Sequence, residues 1–372
     1  MVKRYYFYLI LGLLGLISGG FQWLMFRHAG SAFALPEALY VFLLAPLTFV
    51  VPYTMERYLP LPVSKLLARV GGYWFIFAFY ATMLLIPFFV LWCACVLFCG
   101  AAVWEPVSRG YAIAALGLLV FLLIIGAWRA CHPVRRVVTV VTEKNIPRNF
   151  TVAFASDIHL GMVLDGSFSR RLVNDINAIA PNFVLFGGDL IDGNLGFVLK
   201  DGSFESFRKL SPELGSYAVF GNHDWYGMDI PLERKVLEGC GIKCLQGESI
   251  SPEDGISILG MEDYLFHPEQ KVRPVSDSVF SIVIDHEPVR MEEAMKTGHD
   301  LYLGGHTHAG QFWPVSHFTG KMFDLDYGTM QTGKFTAIVS SGYGAWGTLF
   351  RLGTKPEIVV VHVRKASKRV CV

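Results

Sequence analysis

A chain of 372 residues is long enough for two domains, and a composition that is 53% hydrophobic and only 17% charged, with mean hydropathy +0.42, is not that of an ordinary soluble protein. With 32 Lys plus Arg against 31 Asp plus Glu, the formal net charge is +1, which excludes a global basic field that would draw the chain to nucleic acid. The seven cysteines, Cys93, Cys95, Cys99, Cys131, Cys240, Cys244 and Cys371, show neither zinc-site spacing nor a disulfide framework and read as small apolar filler.

Before Cys131 the acidic residues are Glu37, Glu56 and Glu105, with no aspartate. The same region holds four apolar stretches, Tyr5 to Phe26, Leu35 to Met55, Tyr73 to Cys99 and Tyr111 to Trp128, each close to the ~20 residues that cross a ~30 Å hydrocarbon core. Residues 1–131 are therefore expected to be an α-helical transmembrane domain of four spans. A cleaved signal peptide would account for the first stretch alone. The second is the weakest, because Glu37 opens it and Pro46 and Pro52 interrupt it; a re-entrant segment is the alternative. Lys3 and Arg4, then Arg57, Lys65 and Arg69, then Arg129, Arg135 and Arg136 alternate with poorer loops holding Arg27 or Arg109. By the positive-inside rule both ends face the cytoplasm of an inner (plasma) membrane, provided the second stretch spans; a re-entrant one would move the C-terminal domain to the other side. Almost no charge lies within the spans beyond Glu37, so an anchor is expected and not a transporter.

Residues 132–150 read as a linker and 151–372 as a second domain. From about Val137 the pattern becomes short apolar runs closed by polar or glycine-rich turns. Strands are predicted at Thr151 to Ala155, Phe183 to Phe186, Tyr217 to Phe220, Ile256 to Leu259, Phe280 to Ile284, Leu301 to Leu303, Thr336 to Val339 and Ile358 to Val363. Between the first two, Phe168, Leu172, Ile176 and Ile179 share one face of a helix capped by Ser167. Strands alternating with helices indicate an α/β domain. The long segment Gln311 to Lys334 carries Phe312, Trp313, Phe318, Phe323, Tyr327 and Lys321. Its aromatics are expected to pack as a local mini-core, or else to form a lid over an apolar substrate group, with Tyr343 and Trp346 lining the same mouth.

Five short motifs follow predicted strands: Ser156-Asp157-Ile158-His159, Gly187-Gly188-Asp189-Leu190-Ile191-Asp192, Gly221-Asn222-His223-Asp224, Asp285-His286-Glu287 and Gly305-His306-Thr307-His308. Ligands in open α/β sheets gather beyond the carboxyl ends of strands, and histidine with carboxylate suits borderline divalent metals. Taken singly, each motif also fits a surface turn, a helix cap or a satisfied histidine. Independent turns have no reason to arrive in this order after successive strands.

The ordered series resembles the calcineurin-like metallophosphoesterase superfamily, across roughly Thr151 to Val363. Gly305-His306-Thr307-His308-Ala309-Gly310-Gln311, with Arg351-Leu352 and Pro356-Glu357-Ile358, is similar to its membrane-associated bacterial branch, where glycine often stands in place of Ala309. The resemblance implies a two-sheet α/β sandwich with a metal site at the strand ends. It implies one metal on Asp157, His159 and His308, a second on Asn222, His286 and His306, and Asp189 bridging them. His223 would be the proton donor, oriented and kept cationic by Asp192, with Asp224 supporting them. Two divalent ions, manganese first and iron, zinc or cobalt as alternatives, would share a hydroxide that attacks phosphorus.

The function expected is a membrane-anchored hydrolase of a phosphodiester, phosphomonoester or pyrophosphate, lipid-linked substrates included, with the bilayer as its other partner. The alternative is a metal-binding membrane sensor or scaffold without turnover. It is disfavoured because every expected ligand and the proton donor are present.

Overall fold

The computed structural model describes residues 2–55 and 58–366; Glu56, Arg57 and Cys371 lie outside the described residues. The chain divides into two compact units, Met1–Trp128 and Arg129–Val372.

The first unit is helical: α1 (Val2–Phe26), the single turn α2 (Ser31–Ala34), α3 (Pro36–Thr54), α4 (Leu61–Ala94), continued by a π-helical turn over Cys95–Cys99, and α5 (Ala101–Ala130). Four of these helices are long and apolar enough to cross a membrane. The weakest stretch forms one continuous helix over Pro36–Thr54 despite Pro46 and Pro52 inside it. Gly15 faces Pro46 so closely that a Cβ there would lie 2.8 Å from the Pro46 Cβ, and a Cβ on Gly19 would lie 2.4 Å from the Phe42 carbonyl oxygen. Small residues at helix contacts let backbones approach where dispersion, and no hydrophobic drive, must hold the helices together. Inside this contact Gln22, fully buried, donates from Nε2 to the Ala78 carbonyl at 3.1 Å and to the Ser18 and Thr82 hydroxyls. The third and fourth helices run further than the hydropathy minima suggested, starting at Leu61 and Ala101 instead of Tyr73 and Tyr111. Scattered polar residues such as Ser64 and Glu105 lower local hydropathy without breaking backbone hydrogen bonding.

The second unit holds two six-stranded sheets. One has the order β1 (Val134–Thr142), β12 (Glu357–Lys365), β2 (Phe150–Ala155), β3 (Phe183–Gly187), β4 (Ser216–Val219), β5 (Ile242–Cys244). The other runs β10 (Gly328–Thr332), β11 (Phe335–Val339), β9 (Leu301–Gly304), β8 (Phe280–Ile284), β7 (Ile256–Gly260), β6 (Glu248–Glu253). Strands β2 to β5 are mutually parallel, as are β7, β8, β9 and β11. Strand alternation decides the layering. Val152, Phe154, Phe183, Leu185 and Val219 of the first sheet meet Ile258, Phe280, Ile282, Leu301, Leu303 and Ile338 of the second in one buried layer. The opposite faces turn outward: Ala153, Ala155, Val184 and Phe186 pack with Leu172 and Ile176 of α6 (Gly166–Asn177). Val283, Tyr302 and Ala337 pack with Met291 and Ala294 of α10 (Met291–Lys296). Between these helices in sequence lie α7 (Leu195–Asp201), the short α8 (Asn222–Tyr226) and α9 (Ile230–Gly239); α11 (Val315–Met322) follows α10. This is the two-sheet α/β sandwich.

Three expectations change. All eight predicted strands form, but so do β1, β5, β6 and β10. The stretch 132–150 is thus not a simple linker: β1 pairs in parallel with β12, more than two hundred residues away. Its alternation is masked in sequence by Arg135 and Arg136. Helix α6 is capped by Asp165, whose carboxylate accepts from Ser167 N at 3.0 Å, so Ser167 lies inside the helix. The segment 311–334 is neither structureless nor a mini-core: it forms α11 and the edge strand β10, and α11 buries none of its side chains.

Arg136 ties the two sheets. It makes a bidentate pair with the buried Glu357 (Nη2 to Oε1 at 2.9 Å) and donates to Thr329 and to the Val339 carbonyl across the sandwich. Arg136→Met would leave the Glu357 carboxylate buried without its counter-charge. The expected result is a loss of about 3 kcal/mol, read as a lowered denaturation midpoint for the C-terminal unit.

Candidate metal centre

Each motif occupies the turn that leaves the carboxyl end of a strand: Asp157 and His159 after β2, Asp189 and Asp192 after β3, Asn222 and His223 after β4, His286 after β8, His306 and His308 after β9. These turns are bonded to one another through their backbones. Asp157 N donates to Gly188 O, and Ile158 N and His159 N both donate to Asp189 O, at 2.8 to 3.0 Å. The Asp224 carboxylate joins a third turn by accepting from Ile191 N and Gly221 N at 2.9 and 2.8 Å. Asp157 (φ 54°), His159 (51°), Asp189 (51°), His306 (70°) and His308 (52°) adopt the left-handed region. Such a conformation costs on the order of 1 kcal/mol per residue and persists where the surroundings over-determine it.

The structure brings all seven expected ligands together. His159 Nε2 lies 3.0 Å from His308 Nε2, and His308 Nε2 is 3.6 Å from Asp157 Oδ1. On the other side His306 Nδ1 is 3.0 Å from Asn222 Oδ1 and 3.3 Å from His286 Nε2, which is 3.2 Å from Asn222 Oδ1. Asp189 stands between the two groups, its Oδ2 at 3.2 Å from His286 Nε2 and 3.8 Å from His159 Nε2. Donor atoms bound at about 2.1 Å to one cation are separated by roughly 3.0 to 3.4 Å, depending on the polyhedron, so the observed spacings fit two adjoining cations.

Electrostatics supports that fit. Burial pushes the His159 imidazole down to about 4, with the His223 charge adding to it, and His306 down to about 3, with His286 adding. Burial and then the Arg351 guanidinium hold His308 well below its ordinary value. These rings are neutral, the form that binds metal. Burial raises Asp157 to about 6, against the opposing charge of His286. For Asp189 and His286 burial works against both charges and their mutual attraction overcomes it, so the carboxyl is held well below and the imidazole well above the usual range. A divalent ion would supply the counter-charge that such buried carboxylates need.

His223 donates its backbone N–H to Asp189 Oδ1 at 2.8 Å, and its Nδ1 lies 3.0 Å from Asp192 Oδ1. Burial lowers its pKa, yet the charges of Asp189 and Asp192 outweigh this and the net shift is upward. His159, Asp192 and His223 form a further close group, which the His223–Asp192 hydrogen bond accounts for. Of the two residues expected at the mouth, Trp346 lies there, its ring 6.1 Å from that of His223. Tyr343 does not: it is buried against Phe168, with its hydroxyl on Asp175. Tyr226, whose ring is 5.2 Å from His223, takes the other flank; no sequence signal marked it.

Arg351, singled out in sequence only as part of a motif, proves to be fully buried. It donates to the carbonyls of His308 and Gly344 at 2.9 and 2.6 Å, with Nη2 3.1 Å from His308 Nδ1. Its pairing with His308 was readable only once the loop of residues 340–351 had been folded over β9. Ala309, where the resemblance implied glycine, is left-handed (φ 50°), a conformation glycine adopts at no steric cost.

Two glycines make room for this packing. A Cβ on Gly188 would lie 2.7 Å from His286 Nδ1, and one on Gly221 would lie 2.4 Å from Asp189 Oδ1 and 2.6 Å from His286 Nε2. Gly221 has an ordinary φ of −106°, so Gly221→Ala tests crowding alone. It is expected to weaken metal retention by about tenfold or more while circular dichroism stays unchanged; elemental analysis after gel filtration checks this.

Residues 150–310 match the calcineurin-like phosphoesterase family. A metallophosphoesterase of Aquifex aeolicus is 31% identical over 241 residues, covering 61% of this chain and 90% of its own. Two vertebrate transmembrane proteins with a metallophosphoesterase domain are also similar: that of Danio rerio is 27% identical over 287 residues, 70% of this chain and 65% of its own, and that of Bos taurus is 26% identical over 270 residues, 66% and 60%. This chain spans less than two thirds of either vertebrate protein, and the likeness is not confined to bacterial proteins. With the five motifs meeting at the carboxyl ends of β2, β3, β4, β8 and β9, the chain belongs to the calcineurin-like metallophosphoesterase family.

Proposed function

We propose that the protein is a membrane-anchored, two-metal hydrolase of a phosphate ester or phosphoanhydride. The observation that carries this reading is the pair of donor groups sharing Asp189, with the His223–Asp192 pair beside them. Asp157, His159 and His308 would hold one ion and Asn222, His286 and His306 the second, with Asp189 shared between them; such a mixed donor set accepts manganese, iron, zinc or cobalt, and manganese is our first choice. Two such cations supply activated water and neutralise charge on phosphate oxygens. The chain's own residues do the rest. Asp192 fixes the His223 ring through Nδ1 and stabilises its cationic form, so that Nε2 delivers a proton to the departing oxygen. Trp346 and Tyr226 flank that ring and limit water around it.

Anchoring is the role of the four apolar helices. The continuity of α3 supports an even number of crossings, and the flanking charges then place both ends on the cytoplasmic side of an inner membrane. A lipid-linked substrate is supported by the rim of the site: Trp313, Phe318 and Met322 are exposed, and the Phe323 ring lies 6.0 Å from His306. Between a turning-over enzyme and a metal-binding scaffold, the ordered His223–Asp192 pair favours the enzyme, since metal binding alone has no use for it.

Purified protein is expected to contain two transition-metal ions per chain and to hydrolyse a phosphodiester, phosphomonoester or lipid pyrophosphate in manganese. A chelator should abolish turnover and manganese should restore it. His223→Ala is expected to lower kcat by about 10²- to 10⁴-fold with metal content unchanged, and Asp189→Ala to lose metal and activity together. Equal turnover by wild type and the Asp189 variant would defeat the reading.

A further inference from the structure

The fourth motif brings two carboxylates, Asp285 and Glu287, that the metal arrangement above does not use. Asp285 is committed to structure: it accepts from Arg290 Nη1 at 2.9 Å and from the Tyr302 hydroxyl at 2.8 Å. Arg290 also donates to the carbonyls of Glu262 and His267, and the Tyr302 hydroxyl reaches the Glu287 carbonyl at 3.0 Å. The backbone that carries Glu287 is therefore pinned.

Glu287 is buried (8% exposed as a residue, 11% for its side chain), its Oε2 has no hydrogen-bond partner, and its Oε1 lies 4.0 Å from His306 Nε2. A buried carboxylate in this condition needs a donor. His306 has turned Nδ1 toward Asn222 and His286, so it is Nε2 that faces Glu287. An imidazole that gives its Nδ1 lone pair to a cation must carry its proton on Nε2, where binding polarises the N–H and makes it a strong donor. The remaining gap, roughly 1 Å beyond a charge-assisted hydrogen bond, closes by a small rotation of either side chain. The neighbouring Asp263 is also buried, with its Oδ2 unpartnered.

We propose that Glu287 is a positioning residue for the second ion, accepting the Nε2–H of His306 and so fixing that ring's tautomer and plane. The inference rests on the two-metal reading above. It makes the motif Asp285-His286-Glu287 a three-part device: one carboxylate locks the loop, the histidine binds, and the second carboxylate steers a ligand on another strand.

Chelator-stripped full-length protein in detergent, dialysed against graded manganese and assayed for bound metal, tests it alongside the melting temperature of the metal-free form. Wild type is expected to take up two ions. Glu287→Gln should bind one as wild type does and the other about 10- to 100-fold more weakly, with the metal-free melting temperature not lowered. Glu287→Asp, its carboxylate withdrawn by one methylene, should weaken the same ion, and it decides the question if the Gln variant does not fold. Two ions at wild-type affinity in the variant overturn the inference, as does a lowered melting temperature with metal binding intact, which would make Glu287 merely structural. Wild type that takes up no manganese removes the two-metal reading and this inference together; two ions in wild type and variant alike removes only the inference.

Discussion

The C-terminal unit is organised around a concentration of buried polar groups that no ordinary core would tolerate. Asp157, His159, Asp189, Asn222, His286 and His308 are all buried at one place, and burying a carboxylate is costly unless charge and hydrogen bonds are supplied in return. Here the groups supply each other. Asp189 and His286 stabilise one another's charged forms across 3.2 Å, Asp189 also accepts the His223 N–H, and the Asp157 carboxylate accepts the His306 N–H. The left-handed backbone at five of the candidate ligands adds further cost. Such strain is kept where the arrangement it enforces is used.

Strand order makes the concentration possible. Because β2, β3 and β4 are parallel neighbours in one sheet, and β8 and β9 in the other, their carboxyl ends emerge on a common edge. The five turns that follow these strands can then bond to one another as well as to their own strands. The apolar layer between the sheets, from Phe154 and Leu185 to Ile282 and Leu303, holds those ends at fixed separation, so a site built from turns is as rigid as the strands beneath it. The Arg136–Glu357 pair fastens β1 and β12 to β10 and β11.

The helical unit follows a different physics. Its exposed surface is apolar over most of its length, with residues such as Leu13, Ile86 and Ile124 more than half exposed. Among the described residues, cohesion draws on glycine contacts, on aromatic packing such as Phe26 on Phe42, and on a buried polar knot at Gln22. Charge is scarce within the helices, in keeping with an anchor.

How much of this could be read from residues alone differs from element to element. The sequence by itself determined the four apolar helices, because a hydrocarbon solvent imposes a run length that composition reveals, and the central strands, because alternating burial writes itself into local pattern. It also made the five motifs legible, because their residue types and order are local properties, while the assignment of ligands within them came from the family resemblance. It could not place β1, whose partner β12 lies at the other end of the unit, or show that α11 stays uncovered, or that Tyr343 turns into the core while Trp346 turns to the site. Nor could it pair Arg351 with His308 or aim Glu287 at His306. Those relations depend on which distant segments share a sheet edge, and pairing between segments far apart in the chain is a property of the tertiary structure alone.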